Sequence, residues 1–279
     1  MDEAAGHGIA RWKRRHRLAC GIRTALGSAR LAGTALMGTV LPGTMLLVFA
    51  PSAFAIGPGP VAGPVNVTSG TVQVVADTVV TSTASNPGAD VTGGTLDIDS
   101  NAGASPALIR FITASGNALQ ASGTGVINAR SNFAVTTTSG HAVLANAGGT
   151  IFLNGGNLVG SGGGGGLIAL GGRIDATSVA YSNNTTSASN GQGAIADSGG
   201  TINLLGNVAL DTAGNQAVDL GAGTNSTINV TGPAIVTLRG TNAMGTYLHD
   251  GGQVNLPTGM AINHYGTGNV GVTVDNTTA

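Results

Sequence analysis

One short phrase of alternating apolar and polar residues returns eight times along the chain. It reads Thr71-Val72-Gln73-Val74, Thr95-Leu96-Asp97-Ile98, Val126-Ile127-Asn128-Ala129 and Thr150-Ile151-Phe152-Leu153. It continues as Arg173-Ile174-Asp175-Ala176, Thr201-Ile202-Asn203-Leu204, Thr227-Ile228-Asn229-Val230 and Gln253-Val254-Asn255-Leu256. A period of two is the signature of a strand with one buried face. Phe152 is the exception on the polar side. Taking the first apolar residue as marker, the steps are 24, 31, 24, 23, 28, 26 and 26 residues. Repetition at that spacing is the mark of a solenoid.

Each unit holds two further apolar strings. One precedes the phrase, as in Asn117-Ala118-Leu119, His141 to Leu144, Gly193-Ala194-Ile195 and Gln216-Ala217-Val218. The other follows it, as in Phe133-Ala134-Val135, Asn157-Leu158-Val159, Ser178-Val179-Ala180, Asn207 to Leu210 and Ala234 to Leu238. Gly, Asn, Ser and Thr, the residues that tolerate tight turns, lie between. Three short strands per unit predict an all-β fold, a right-handed parallel β-helix of about eight coils of ~26 residues. Strands stacked about 4.8 Å apart place each marker over the next, an aliphatic column running from Val72 to Val254. No coil buries its own apolar face, so stability comes from neighbouring coils.

Composition sharpens this picture. The chain has 279 residues, 48 of them glycine, with 8% charged and 3% aromatic residues and a net charge of −1. That balance joins two unlike pieces. Residues 1–30 carry Arg11, Lys13, Arg14, Arg15, Arg17, Arg23 and Arg30 against Asp2 and Glu3. An uncharged apolar stretch from Leu31 to Phe49 follows, interrupted by Pro42 and three glycines. Pro51-Ser52-Ala53-Phe54-Ala55 then offers small residues at Ala53 and Ala55, the two positions a signal peptidase reads. This order predicts a long basic secretory signal over 1–55, cleaved after Ala55. A retained membrane anchor is the alternative; Arg14-Arg15 raises the twin-arginine route, but its surroundings fit poorly. The expected organisation is signal 1–55, short linker 56–66 and β-helix 67–279.

From residue 56 onward the chain has four Arg, ten Asp, no Lys, no Glu and no Cys. Disulfides cannot hold such a chain together, and its acidic balance argues against nucleic acid or anionic lipid as partner.

The basic leader, the Cys-free Gly/Asn/Thr/Ala-rich body and phrases such as Gly199-Gly200-Thr201-Ile202-Asn203-Leu204 resemble the passenger regions of type V autotransporters, in particular the pertactin-like group. The resemblance spans about 60–279 and rests on repeat texture. It implies export to the surface of a Gram-negative bacterium and adhesion or another contact with a host-surface protein or glycan. It also implies an outer-membrane β-barrel translocator as partner, a segment this sequence does not contain. The final Asn269 to Ala279 looks like the opening of another coil, so the expectation is a passenger fragment, monomeric, that stops inside a repeat and does not export itself.

Candidate chemistry is sparse, and the sequence predicts a non-enzyme with no catalytic, metal or cofactor residues. The competing reading is a secreted β-helix polysaccharide lyase or hydrolase, which needs clustered acids, often around calcium, and a base. Asp97 and Asp99 share a face, and Asn128 and Arg130 fall one coil above them; this reads as a polar ladder with an exposed ion pair. Asp175 has Phe152 below and Asn203 above, so no acid cluster forms there. His141, His249 and His264 lack metal-ligand spacing and are expected exposed. Gly162 to Gly166 lacks the ending of a phosphate loop and reads as a flexible corner or bulge. The row Asn128, Asn203, Asn229 and Asn255 reads as stacked amides bonded to one another, with a contact strip as its functional alternative. A trimeric coiled-coil adhesin is disfavoured, because no heptads occur.

Overall fold

The computed structural model describes residues 46–47, 54–83, 85–99, 108–130, 132–184 and 191–275. The chain divides into two compact units, Met1–Met37 and Gly38–Ala279, and every described residue belongs to the second. These residues form strands and turns only. None forms a helix long and apolar enough to cross a membrane.

The strands assemble three parallel sheets of ten, nine and nine strands, and every third strand of the sequence joins the same sheet. The chain is therefore a right-handed parallel β-helix. The recurring phrase builds one sheet, the marker sheet. The strings before it build the leading sheet and those after it the trailing sheet.

Register in the marker sheet follows the phrase without a slip. Val72 pairs with Leu96, Leu96 with Ile127, Ile127 with Ile151 and Ile151 with Ile174. Ile174, Ile202, Ile228 and Val254 continue the column. A one-residue slip would turn every aliphatic side chain to solvent, so the period-two pattern fixes the stacking. Similar columns line the other walls: Leu119, Val143, Leu167, Ala194 and Leu220 in the leading sheet; Val80, Phe111, Val135, Leu158, Tyr181, Leu210 and Val236 in the trailing sheet. All of these except Val254 are buried in a single core.

Two segments depart from the sequence reading. The stretch read as a linker, 56–66, carries the strand Gly59–Ala62 and the start of Val65–Val67, both paired into the sheets. Ser178-Val179-Ala180, read as a strand, is instead a corner: Ser178 has φ 52° and the strand is Ala180–Asn183. Val179 is buried at that corner, and Tyr181 supplies the inward side chain of the strand.

The glycine run is not a flexible corner throughout. Gly165 and Gly166 open the strand Gly165–Leu170, and both are buried. A Cβ on Gly166 would lie 2.7 Å from the Tyr181 ring, and one on Gly164 would strike the Gly140 carbonyl in the coil below. Only Gly163 has open space around it. Close approach of coil to coil sets most of this run.

Candidate functional site

The outward face of the marker sheet carries the strongest concentration of ordered polar side chains. Its register row is Gln73, Asp97, Asn128, Phe152, Asp175, Asn203, Asn229 and Asn255. Strand pairing puts these residues one above another, within reach of their amides. The Asn255 amide donates to the Asn229 oxygen at 2.8 Å, Asn229 donates to Asn203 at 2.8 Å, and Asn203 donates to Asp175. Arg173 closes the lower end with two hydrogen bonds to the Asp175 carboxylate, at 2.9 and 2.7 Å. The three amide donors all point to the coil below, so polarisation adds along the chain of amides.

Phe152, 40% exposed, splits the row. Below it Asn128 donates to Asp97 at 2.7 Å. The four asparagines read from sequence as one ladder thus belong to two, and Asn128 is tied to an acid rather than to Asn203. Asp99 and Arg130 stand opposite each other in register. Asp175 has Phe152 below and Asn203 above, as the repeat spacing requires. Chemically, the row spends its donors on the coil beneath and brings no second carboxylate to Asp97 or Asp175.

The histidines have structural settings. His141 Nδ1 accepts the Gly165 N–H at 2.9 Å, which places the proton of the neutral ring on Nε2. Its own N–H donates to Asn117 Oδ1 at 3.0 Å. His264 is exposed, as expected. His249 is not: it is 5% exposed, with Nδ1 3.0 Å from Asp250 Oδ2. The reason is local. His249 ends the strand Met244–His249 and lies over Gly223, where a Cβ would touch both the imidazole and the Asp197 carboxylate. No group of three or more His, Cys, Asp or Glu among the described residues has the geometry to hold a metal ion.

Sequence reasoning missed Asp219. It is the second residue of the leading strand Val218–Ala222, stands between Gly193 below and Gly245 above, and is fully buried. Neither carboxyl oxygen has a hydrogen-bond partner. Burial pushes this carboxyl well above the usual range; the facing Thr212 hydroxyl offsets part of that without closing a well-formed hydrogen bond, and Asp211 adds to it. Thr212 belongs to a buried polar column at the end of the trailing strands, with Thr113, Thr137 and Asn183. The others bind corner carbonyls: Thr113 and Thr137 bind that of Gly116, and Asn183 that of Gly162. Thr212 alone does not, and its hydroxyl is also unsatisfied. Asn183 further donates to the Tyr181 hydroxyl at 3.3 Å, and burial raises that phenol's pKa. No sequence signal marks Asp219 beyond its being an acid inside an apolar string.

Of the signal-peptidase positions, Ala53 lies outside the described residues. Ala55 sits in the strand Phe54–Ile56, opposite Gln73.

Comparison with family models, with curated proteins and with solved structures gives no match.

Proposed function

We propose that this chain is the β-helical passenger of a Gram-negative autotransporter, a non-catalytic scaffold that contacts a host-surface protein or glycan. The observation that carries this reading is the outward row of the marker sheet. Its amides are tied coil to coil from Asp175 to Asn255, which spends polar side chains on regularity instead of converging them on a reacting atom. The basic leader and the absence of cysteine after residue 55 support export. In this reading an outer-membrane β-barrel acts as translocator, and peptidase cleavage after Ala55 leaves Ile56 as the first residue of the exported chain.

The test is direct. Beads carrying the purified chain should retain cultured epithelial cells or immobilised host glycans more strongly than beads carrying a heat-unfolded sample. Shortened products from acidic or neutral polysaccharides incubated with the protein would overturn the reading in favour of a β-helix lyase or hydrolase. Mass spectrometry of the exported form should give an N-terminus at Ile56.

A further inference from the structure

Among the described residues, the buried side-chain oxygens that lack a hydrogen-bond partner all lie between residues 212 and 246. They are the Thr212 hydroxyl, both oxygens of Asp219 and the Thr246 hydroxyl. The corner between the trailing and leading sheets is also loosely tied here. In lower coils Thr113, Thr137 and Asn183 bind its carbonyls, at 2.9, 3.2 and 2.9 Å. Beside Asp219 the corner closes on itself through the Ala217 N–H and the Gly214 carbonyl, 3.4 Å apart and long for such a bond. The leading ladder passes over the acid: Val218 and Leu220 pair with the coils on both sides, and Asp219 pairs with neither. Two short bonds tie the corner to its neighbours, from the Ala213 N–H to the Asn183 carbonyl at 2.9 Å and from the Gln216 N–H to the Thr241 carbonyl at 2.8 Å.

We propose that this corner, residues 212–219, is a proton-gated joint of the solenoid, closed while the Asp219 carboxyl is neutral and opening to water as that carboxyl gives up its proton. The closed corner holds the neutral acid, because burial penalises the charged form and no partner stabilises it. The titratable groups that face it are Tyr181 from below and Asp211 of its own coil, and neither is a cation. Arg239 is engaged outside by Asp211. The strands above and below face Asp219 with Gly245 and Gly193. Their own titratable groups are bound elsewhere: Asp197 to the Ser198 N–H, Tyr247 to Asp275 and His249 to Asp250. Local opening solvates the carboxyl without exposing the marker wall, so it relieves the acid at far lower cost than unfolding does. In the open corner the carboxyl titrates near its ordinary 3.8. Below that pH both states keep the proton, and opening does not depend on pH. Above it only the open state releases the proton, so opening grows about tenfold per pH unit until the closed acid also ionises. The joint does not depend on the host-contact reading.

Amide hydrogen exchange of the full chain, followed by mass spectrometry between about pH 5 and pH 6.5, tests the coupling. Base-catalysed exchange itself rises about tenfold per pH unit, and the proton released on opening multiplies this by about ten. Peptides holding the amides of Ala213, Gln216 and Ala217 should therefore speed up about a hundredfold per pH unit. The marker strand Thr150–Asn154 should follow the ordinary tenfold. Asp219→Asn keeps the size and polarity of the side chain but cannot ionise, and it should return the corner to the tenfold slope. Asp219→Ala should do the same and slow exchange at the corner at neutral pH by about tenfold or more. Far-UV circular dichroism should be unchanged in both variants. A tenfold slope at the corner of the unsubstituted chain overturns the proposal, as does a steep slope that survives Asp219→Asn. Exchange at the corner no faster than in Thr150–Asn154, or a steep slope shared equally by that strand, overturns it as well, because the corner would then not open on its own.

Discussion

The marker wall and the corner that holds Asp219 are stacked by the same coils and follow opposite rules. In the marker wall Leu96, Ile127, Ile151, Ile174, Ile202 and Ile228 lie one on another, all fully buried. Like sits on like, and each coil completes its neighbours. At the corner the equivalent positions are small: Ala118, Ala142, Gly166 and Gly193 in lower coils, Gly245 above. Asp219 alone adds a carboxyl group there, and the threonine that faces it loses the corner carbonyl its counterparts bind. A solenoid thus tolerates variation in what turns outward, but each inward column has its own narrow alphabet.

Breaking the regular wall should cost most. Ile151→Ala removes a fully buried side chain that contacts coils on both sides. The expected loss is about 3 kcal/mol, within the ~2–5 kcal/mol of large-to-small core changes, read as a lower urea midpoint. Because neighbouring coils share the interface, the loss should appear in the whole transition rather than in one coil's hydrogen exchange.

Repairing the corner is the next largest effect, with the opposite sign. Asp219→Ala keeps the Cβ that Ala118 and Ala142 carry in lower coils and deletes the unpaired oxygens. A buried unsatisfied polar group costs about 1–3 kcal/mol, so the variant should be more stable by that order at pH 7. The pH dependence tests the cause. The folded carboxyl titrates above its unfolded value of 3.8, so the unfolded state releases its proton first. The charge-linked part of the penalty is absent below pH 3.8 and grows as pH rises toward the folded value, then levels off. The gain from Asp219→Ala should therefore be smaller near pH 3, where only the unpaired oxygens of the neutral carboxyl weigh on the fold, than at neutral pH. A gain equal at both pH values would mean that shape rather than charge is responsible.

These two positions also mark how far the sequence could be read. The marker wall was legible to the residue, since the period-two phrase and its spacing together determine which residue lies over which. The trailing strand at Ala180 was not, because Ser178 and Val179 share the composition of a strand but turn a corner. The glycine run misled for a related reason: glycine that permits flexibility and glycine that permits close approach look alike until Tyr181 is seen against Gly166. Asp219 and His249 were illegible because burial of a single polar side chain leaves no periodic trace. Of the candidate surface, the upper amide row was legible from register alone. Its interruption by Phe152 was present in the register but not in the reading that joined Asn128 to it.

The outward amide row offers a smaller test of whether regularity on the surface stabilises as regularity inside does. Asn203 is the middle link, donating to Asp175 and accepting from Asn229. Asn203→Ala should cost about 1–2 kcal/mol, two part-buried hydrogen bonds at roughly 0.5–1.5 kcal/mol each. Asn128→Ala breaks one such bond, to Asp97, and should cost about half as much. Equal losses in the two variants would show that the upper row gains nothing from being continuous.

The smallest effect belongs to a contact that looks strongest on paper. Arg239 makes two short hydrogen bonds to Asp211, at 2.7 and 2.8 Å, and lies 5.4 Å from the Tyr265 ring centre. It links adjacent coils, as the buried ladders do, and the carboxylate raises its pKa further. Its side chain is nonetheless 50% exposed, so water and salt screen the pair and long side chains lose freedom in making it. Arg239→Ala should lower stability by less than about 1 kcal/mol, and by less still in 1 M salt. A loss matching that of Ile151→Ala would overturn the division between wall and surface. It would mean that bridges across the outside of the coils, and not the stacked aliphatic columns, set the strength of the solenoid.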